Sequence, residues 1–109
     1  VEKVEEYAFA ECYNLRRVIM RGVGVVEGWA FFECTALTDV ECGKLEIIKE
    51  GAFGFCHSLR SINLPSAKIV GNAFSECKAL TDVNFGTKLE SIRWTPFRKC
   101  FSLERITIP

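Results

Sequence analysis

The sequence predicts an α/β solenoid of about five repeats, and three observations predict it. An Ala-Phe pair recurs as Ala8-Phe9, Ala30-Phe31, Ala52-Phe53 and Ala73-Phe74, then as Pro96-Phe97, at intervals of 22, 22, 21 and 23 residues. A cysteine stands three residues after each of these phenylalanines: Cys12, Cys34, Cys56, Cys77 and Cys100. Other offsets are equally regular, with Leu six residues after the Phe, Val or Ile nine after it, and Val or Ile five before it. Self-similarity at a period of 20 to 50 residues is the signature of a solenoid. One such unit cannot bury its own apolar face, so units stack and each column becomes a ladder through a shared core.

Each element follows from a column. The segment from Glu6 to Cys12 reads as a turn or short helix that returns the chain across one side, with small residues at Ala8, Ala30, Ala52 and Ala73 letting neighbouring coils approach. The alternation from Leu15 through Met20 predicts a short strand, with Val18 and Met20 inward and Arg17 and Ile19 outward. Strands of successive units then form a parallel sheet spaced ~4.8 Å apart. The connections after Leu64 and Phe85 absorb the 21- and 23-residue spacings. A single domain, 1–109, divides into repeats 1–21, 22–43, 44–65, 66–86 and 87–109.

Composition agrees with one globular domain: 109 residues, 49% hydrophobic and 26% charged. Lys plus Arg equals Asp plus Glu at 14 each, so no net charge recommends nucleic acid or an anionic membrane as partner. No apolar run approaches the ~18 residues of a membrane span. Val-Glu-Lys-Val-Glu-Glu is charged where a signal peptide needs an apolar stretch. Val1 and Val4 occupy core positions, and the chain stops just after a strand at Ile108-Pro109, so neither end reads as a polar cap. Together with the missing initiator Met, this predicts a segment of a longer array, with flanking repeats or end-to-end association.

Catalytic and metal chemistry find no support in the pattern. The six cysteines are separated by 22, 8, 14, 21 and 23 residues, whereas tetrahedral zinc takes ligands in close pairs. No metal site and no cofactor is expected. Cys56-His57 is adjacent in sequence, which seldom gives nucleophile–base geometry. No P-loop, G-x-G-x-x-G or G-x-S-x-G occurs, so the chain is read as non-enzymatic. The ladder cysteines, and Cys42 in a strand column, are expected to be reduced, buried thiols. Tyr7, Trp29 and Trp94 lie outside the constant columns. They are either exposed binding anchors or rings packed on a neighbouring coil.

Recognition in a solenoid is carried by the outward strand positions. One outward row reads Arg17, Asp39, Ser61, Asp82, Arg105; the next reads Ile19, Glu41, Asn63, Asn84, Thr107. The candidate partner-binding residues are therefore Arg17, Asp39, Glu41, Ser61, Asn63, Asp82, Asn84 and Arg105. Charge is uneven along the axis, −4 over residues 1–54 and +4 over 55–109.

Written as A-F-x-x-C-x-x-L-x-x-[VI]-x-ϕ, the unit resembles the BspA-like leucine-rich repeat, through AFAECYNLRRVIM, AFFECTALTDVEC, AFGFCHSLRSINL, AFSECKALTDVNF and, with Pro96 for Ala, PFRKCFSLERITI. The resemblance spans essentially the whole chain. It implies a right-handed leucine-rich-repeat solenoid with parallel strands on the concave face. It also implies a cell-surface or secreted setting and a protein-binding or adhesion module, the alternative being a scaffold segment packed within a larger assembly.

Overall fold

The computed structural model describes residues 2–93 and 95–109. Each of five coils contributes two short strands. The first strands are β1 (Glu2–Val4), β3 (Val23–Val26), β5 (Ile47–Ile48), β7 (Ile69–Val70) and β9 (Ser91–Ile92); the second are β2 (Arg17–Ile19), β4 (Asp39–Glu41), β6 (Ser61–Leu64), β8 (Asp82–Phe85) and β10 (Arg105–Thr107). All pairings are parallel and join equivalent strands of neighbouring coils, in register through the core columns: Val18 beside Val40, Ile62 beside Val83, Ile48 beside Val70.

Two features differ from the sequence expectation. The Val/Ile column upstream of each Phe builds a sheet of its own, and it is this sheet, β1-β3-β5-β7-β9, that runs unbroken through all five coils. The expected sheet is divided into β2-β4 and β6-β8-β10. Moreover, no helix occurs among the described residues, so the helical half of the α/β expectation is corrected to turns.

The reason lies in where the turn N–H groups go. An α-helix bonds each N–H to its own chain four residues back. Here alternate N–H groups bond within the coil and across to the next one. Ala8, Ala10 and Cys12 donate to the carbonyls three residues earlier, while Tyr7, Phe9 and Glu11 donate to Gly28, Ala30 and Phe32 of the second coil at 3.2, 2.8 and 2.7 Å. The backbone reaches that pattern by a left-handed residue two after each Phe: Glu11, Glu33, Phe55, Glu76 and Lys99, with φ between 56° and 60°. Ala30, Ala52 and Ala73 are fully buried where the coils touch; a larger side chain there would hold the coils too far apart for these bonds.

The core follows the columns. Phe9, Phe31, Phe53, Phe74 and Phe97 stack with ring centroids 5.3, 5.3, 5.4 and 5.6 Å apart and nearly parallel planes. Beside them runs the cysteine ladder. Cys34, Cys56, Cys77 and Cys100 each donate a thiol hydrogen bond to the carbonyl of the Phe one coil earlier, at 3.1, 3.3, 3.0 and 3.0 Å. Those Phe carbonyls also accept the N–H of their own coil's cysteine, so the thiol engages the second lone pair. The column thus needs a small apolar side chain that still carries a donor, which describes cysteine. All six thiols are free, and all are buried except Cys12, which is half-buried in the first coil.

Of the three rings left open by the sequence, Tyr7 and Trp29 stack on each other at 5.6 Å and 9°. Trp29 is half-buried, packed on neighbouring coils, whereas Tyr7 is exposed. Trp94 and Val1 lie outside the described residues. Tyr7, Trp29 and Gly51 share a left-handed conformation, with φ of 59°, 55° and 69°. Backbone geometry therefore favours glycine at 51 without strictly demanding it, and the Trp29 indole adds a second reason, because a Cβ there would enter the ring. Gly51→Ala is expected to destabilise the domain by about 2 kcal/mol. In a Trp29→Ala background about half of that penalty should vanish, the remainder being the strain of a left-handed alanine; a double-mutant cycle in urea reads the difference, and an unchanged penalty would place its origin wholly in the backbone.

Candidate partner-binding face

The alternation of β2, β4, β6, β8 and β10 buries every second side chain and projects the rest. Val18, Val40, Ile62 and Val83 point to the core, and the eight candidate residues stand on the opposite side of these strands. Of the eight, Asp82 is half-buried and the others are exposed. Register places Arg17 beside Asp39, Ser61 beside Asp82, Asn63 beside Asn84, and Asp82 beside Arg105.

Most of these groups are already partnered. Glu41 lies 3.9 Å from Arg17 and 3.5 Å from Arg21, and Asp82 lies 3.4 Å from Arg105. Exposed pairs of this kind contribute about 0–1 kcal/mol each, so they orient side chains more than they hold the fold. The Asn84 amide donates to the Asn63 side-chain oxygen at 2.8 Å, and the hydroxyls of Thr38 and Thr81 donate to the Arg16 and Arg60 carbonyls. Asp39 makes no ion pair among the described residues. Arg21 was not singled out from the sequence, since it falls just beyond the strand; its position after Met20, at the end of the inward–outward alternation, was the available signal.

The division of the sheet shapes this face. Between β4 and β6 no ladder forms. Where Met20 N–H donates to Glu41 O at 2.7 Å, the equivalent link one coil on comes from the Cys42 thiol, 3.6 Å from Asn63 O. Side chains bridge the same two coils beyond the strand ends, Ser58 to the Thr35 carbonyl and Ser66 to the Gly43 carbonyl, both at 2.7 Å. The seam opens as a groove of about 240 Å³, with Val40 and Ile62 in its lining and Arg17, Thr38, Asp39, Glu41, Ser61 and Asn63 around them. A larger hollow of about 670 Å³ lies along the other sheet, where Ile47, Ile69, Lys49, Asn72 and Arg93 contribute to its wall. It is not part of the candidate face.

The five buried cysteines lack the environment of nucleophiles. Burial pushes the Cys42 and Cys77 thiols up to about 12 and raises Cys34, Cys56 and Cys100 as well. A thiol held protonated is a poor nucleophile and a poor metal ligand. His57 is exposed and sits against the Phe55 ring at 5.9 Å. Among the described residues no group of three or more His, Cys, Asp or Glu is placed to hold a metal ion.

Five coils, the Phe and Cys ladders and paired parallel strands all repeat the same sequence unit. No curated protein and no solved structure matches the chain significantly. The model of the family described as BspA type Leucine rich repeat region (6 copies) matches residues 2–109. The chain belongs to the BspA-type leucine-rich repeat family.

Proposed function

We propose that this domain is a non-enzymatic protein-binding module, and that the face carried by β2, β4, β6, β8 and β10 receives the partner. The observation that carries this reading is the seam between β4 and β6. It sets acidic Asp39 and Glu41 on one side and Ser61 and Asn63 on the other, with Arg17 and Thr38 completing a mostly polar lining. Such a groove suits a partner side chain that is basic or rich in donors, seated within a wider polar contact. Concentrating polar and charged groups of both signs on one face favours specificity and orientation over raw affinity. The family also supports a surface or secreted setting and a place in a longer array; no described helix is long and apolar enough to cross a membrane.

The test begins with protein fragments selected for binding to the wild-type domain. Changing Asp39, Glu41 and Asp82 together to Ala is expected to weaken the selected partners by about 10- to 100-fold. Changing Lys68 and Glu46, which pair on the other sheet's side at 3.7 Å, should leave them unaffected. Partners that ignore the first set and respond only to blocking the terminal coils would favour a scaffold segment instead.

A further inference from the structure

The seam between β4 and β6 breaks a bond pattern that the other three coil interfaces keep on this face. In those three, two successive N–H groups fork onto one carbonyl of the preceding coil. Thr38 and Asp39 donate to Arg16 O at 2.9 and 3.2 Å, Thr81 and Asp82 to Arg60 O at 2.8 and 3.3 Å, and Glu104 and Arg105 to Thr81 O at 2.9 and 3.0 Å. At the seam the equivalent donors are the N–H groups of Arg60 and Ser61 and the equivalent acceptor is Thr38 O, yet no bond joins them. The Thr38 hydroxyl does not replace it, because it is turned to the Arg16 carbonyl on the other side. A peptide N–H or C=O without a protein partner is met by water or by a ligand. Thr38 and Ser61 both line the groove of about 240 Å³, so the break is open to a partner.

The two sides of the break ask for opposite chemistry. The β6 side presents donors: the forked N–H pair, and the amide of Asn63, whose oxygen is already taken by Asn84 at 2.8 Å. The β4 side presents acceptors: Thr38 O, and the exposed Asp39 carboxylate, which makes no ion pair among the described residues. A guanidinium or ammonium group has donors only and would serve β4 alone. A carboxylate has acceptors only, would serve β6 alone, and would meet the charges of Asp39 and Glu41. A primary carboxamide carries both, an oxygen with two lone pairs and an NH2 with two donors. From this match we infer, resting on the reading of this face as the partner-binding surface, that the seam holds the side-chain amide of a Gln or Asn on a partner polypeptide. Its oxygen takes the N–H fork of Arg60 and Ser61, and its NH2 faces Thr38 O and Asp39. The partner's amide thereby supplies the rung that the coils leave unmade.

Random peptides selected for binding to the wild-type domain are the probe, with circular dichroism reporting that each domain variant folds. Changing the peptide's critical Gln to Glu, or Asn to Asp, keeps the shape and removes the donors; it is expected to weaken binding by about tenfold or more. On the domain, Ser61→Pro deletes one N–H of the fork at no cost in bonds within the chain. Asn63→Asp deletes the amide donor and keeps the oxygen that Asn84 uses. Each should weaken binding by about tenfold, and Ser61→Pro should add little once the peptide's amide is gone. If Ser61→Pro does not fold, Asn63→Asp makes the comparison. Peptides that lose affinity when Asp39, Glu41 and Asp82 become Ala, yet need no amide or bind both domain variants at full strength, would overturn this inference and leave the binding face standing. Peptides that ignore those three carboxylates would overturn both.

Discussion

Replacing Phe53 with alanine will cost the domain about 3–5 kcal/mol, the toll of a large aromatic cavity. Phe53 is fully buried, its ring lies between Phe31 and Phe74 at 5.3 and 5.4 Å, and its carbonyl accepts the Cys77 thiol. The cavity therefore opens between coils, where both neighbours lose a stacking face and neither can collapse without breaking its own ladder. A domain of ordinary stability, about 5–15 kcal/mol, would be left marginal or unfolded. Phe101→Ala, on a ring that is mostly exposed, should stay within about 0.5 kcal/mol. Urea midpoints of the two variants make the comparison; equal losses would show that the Phe stack does not organise the core.

Moving from pH 8 to pH 10 should also strip much of the stability, through the thiols. An unfolded thiol ionises near 8.5. In the folded chain burial holds Cys42 and Cys77 protonated up to about 12 and raises Cys56 further still. Above the unfolded value the unfolded state binds fewer protons than the native one. Stability is therefore complete below about pH 8.5 and falls as pH climbs toward the folded value, by about 1.4 kcal/mol per pH unit per thiol. At pH 10 each of these three thiols withdraws about 2 kcal/mol, together comparable to the whole stability of a small domain. Denaturant midpoints at pH 7, 8, 9 and 10 should drop progressively, and less steeply in a Cys56→Ala variant. A flat profile would mean that the thiols ionise within the folded state.

Much of the architecture was legible in one dimension because a stacked ladder repeats its chemistry at the repeat period. The Phe and Cys columns, the strand at Arg17–Ile19 with Val18 inward, and the outward rows all project directly from residue spacing onto space. The cysteines could be read as buried thiols for the same reason, since a ladder sets their side chains parallel rather than toward one another. The outward position of the candidate residues was legible too, as alternation on a strand dictates it. Their pairing was only partly so: in-register neighbours such as Asp82 and Arg105 could be read off, but Arg21 reaching back to Glu41 could not.

Three things were decided only by the coils meeting. The turn segments became left-handed and non-helical because their N–H groups found acceptors on the next coil, a competition no single unit contains. The half-burial of Trp29 was set by Tyr7 on one side and the space above Gly51 on the other, both in neighbouring coils. The seam between β4 and β6, and with it the groove that shapes the candidate face, lies between two repeats with the same 22-residue spacing as the pair before them, whose strands do form a ladder. Column identity specifies which residues face each other, but whether two backbones close to hydrogen-bonding distance depends on how every contact between the coils is satisfied at once. At this seam the Cys42 thiol and the hydroxyls of Ser58 and Ser66 bridge the coils where the other strands of this face use the backbone.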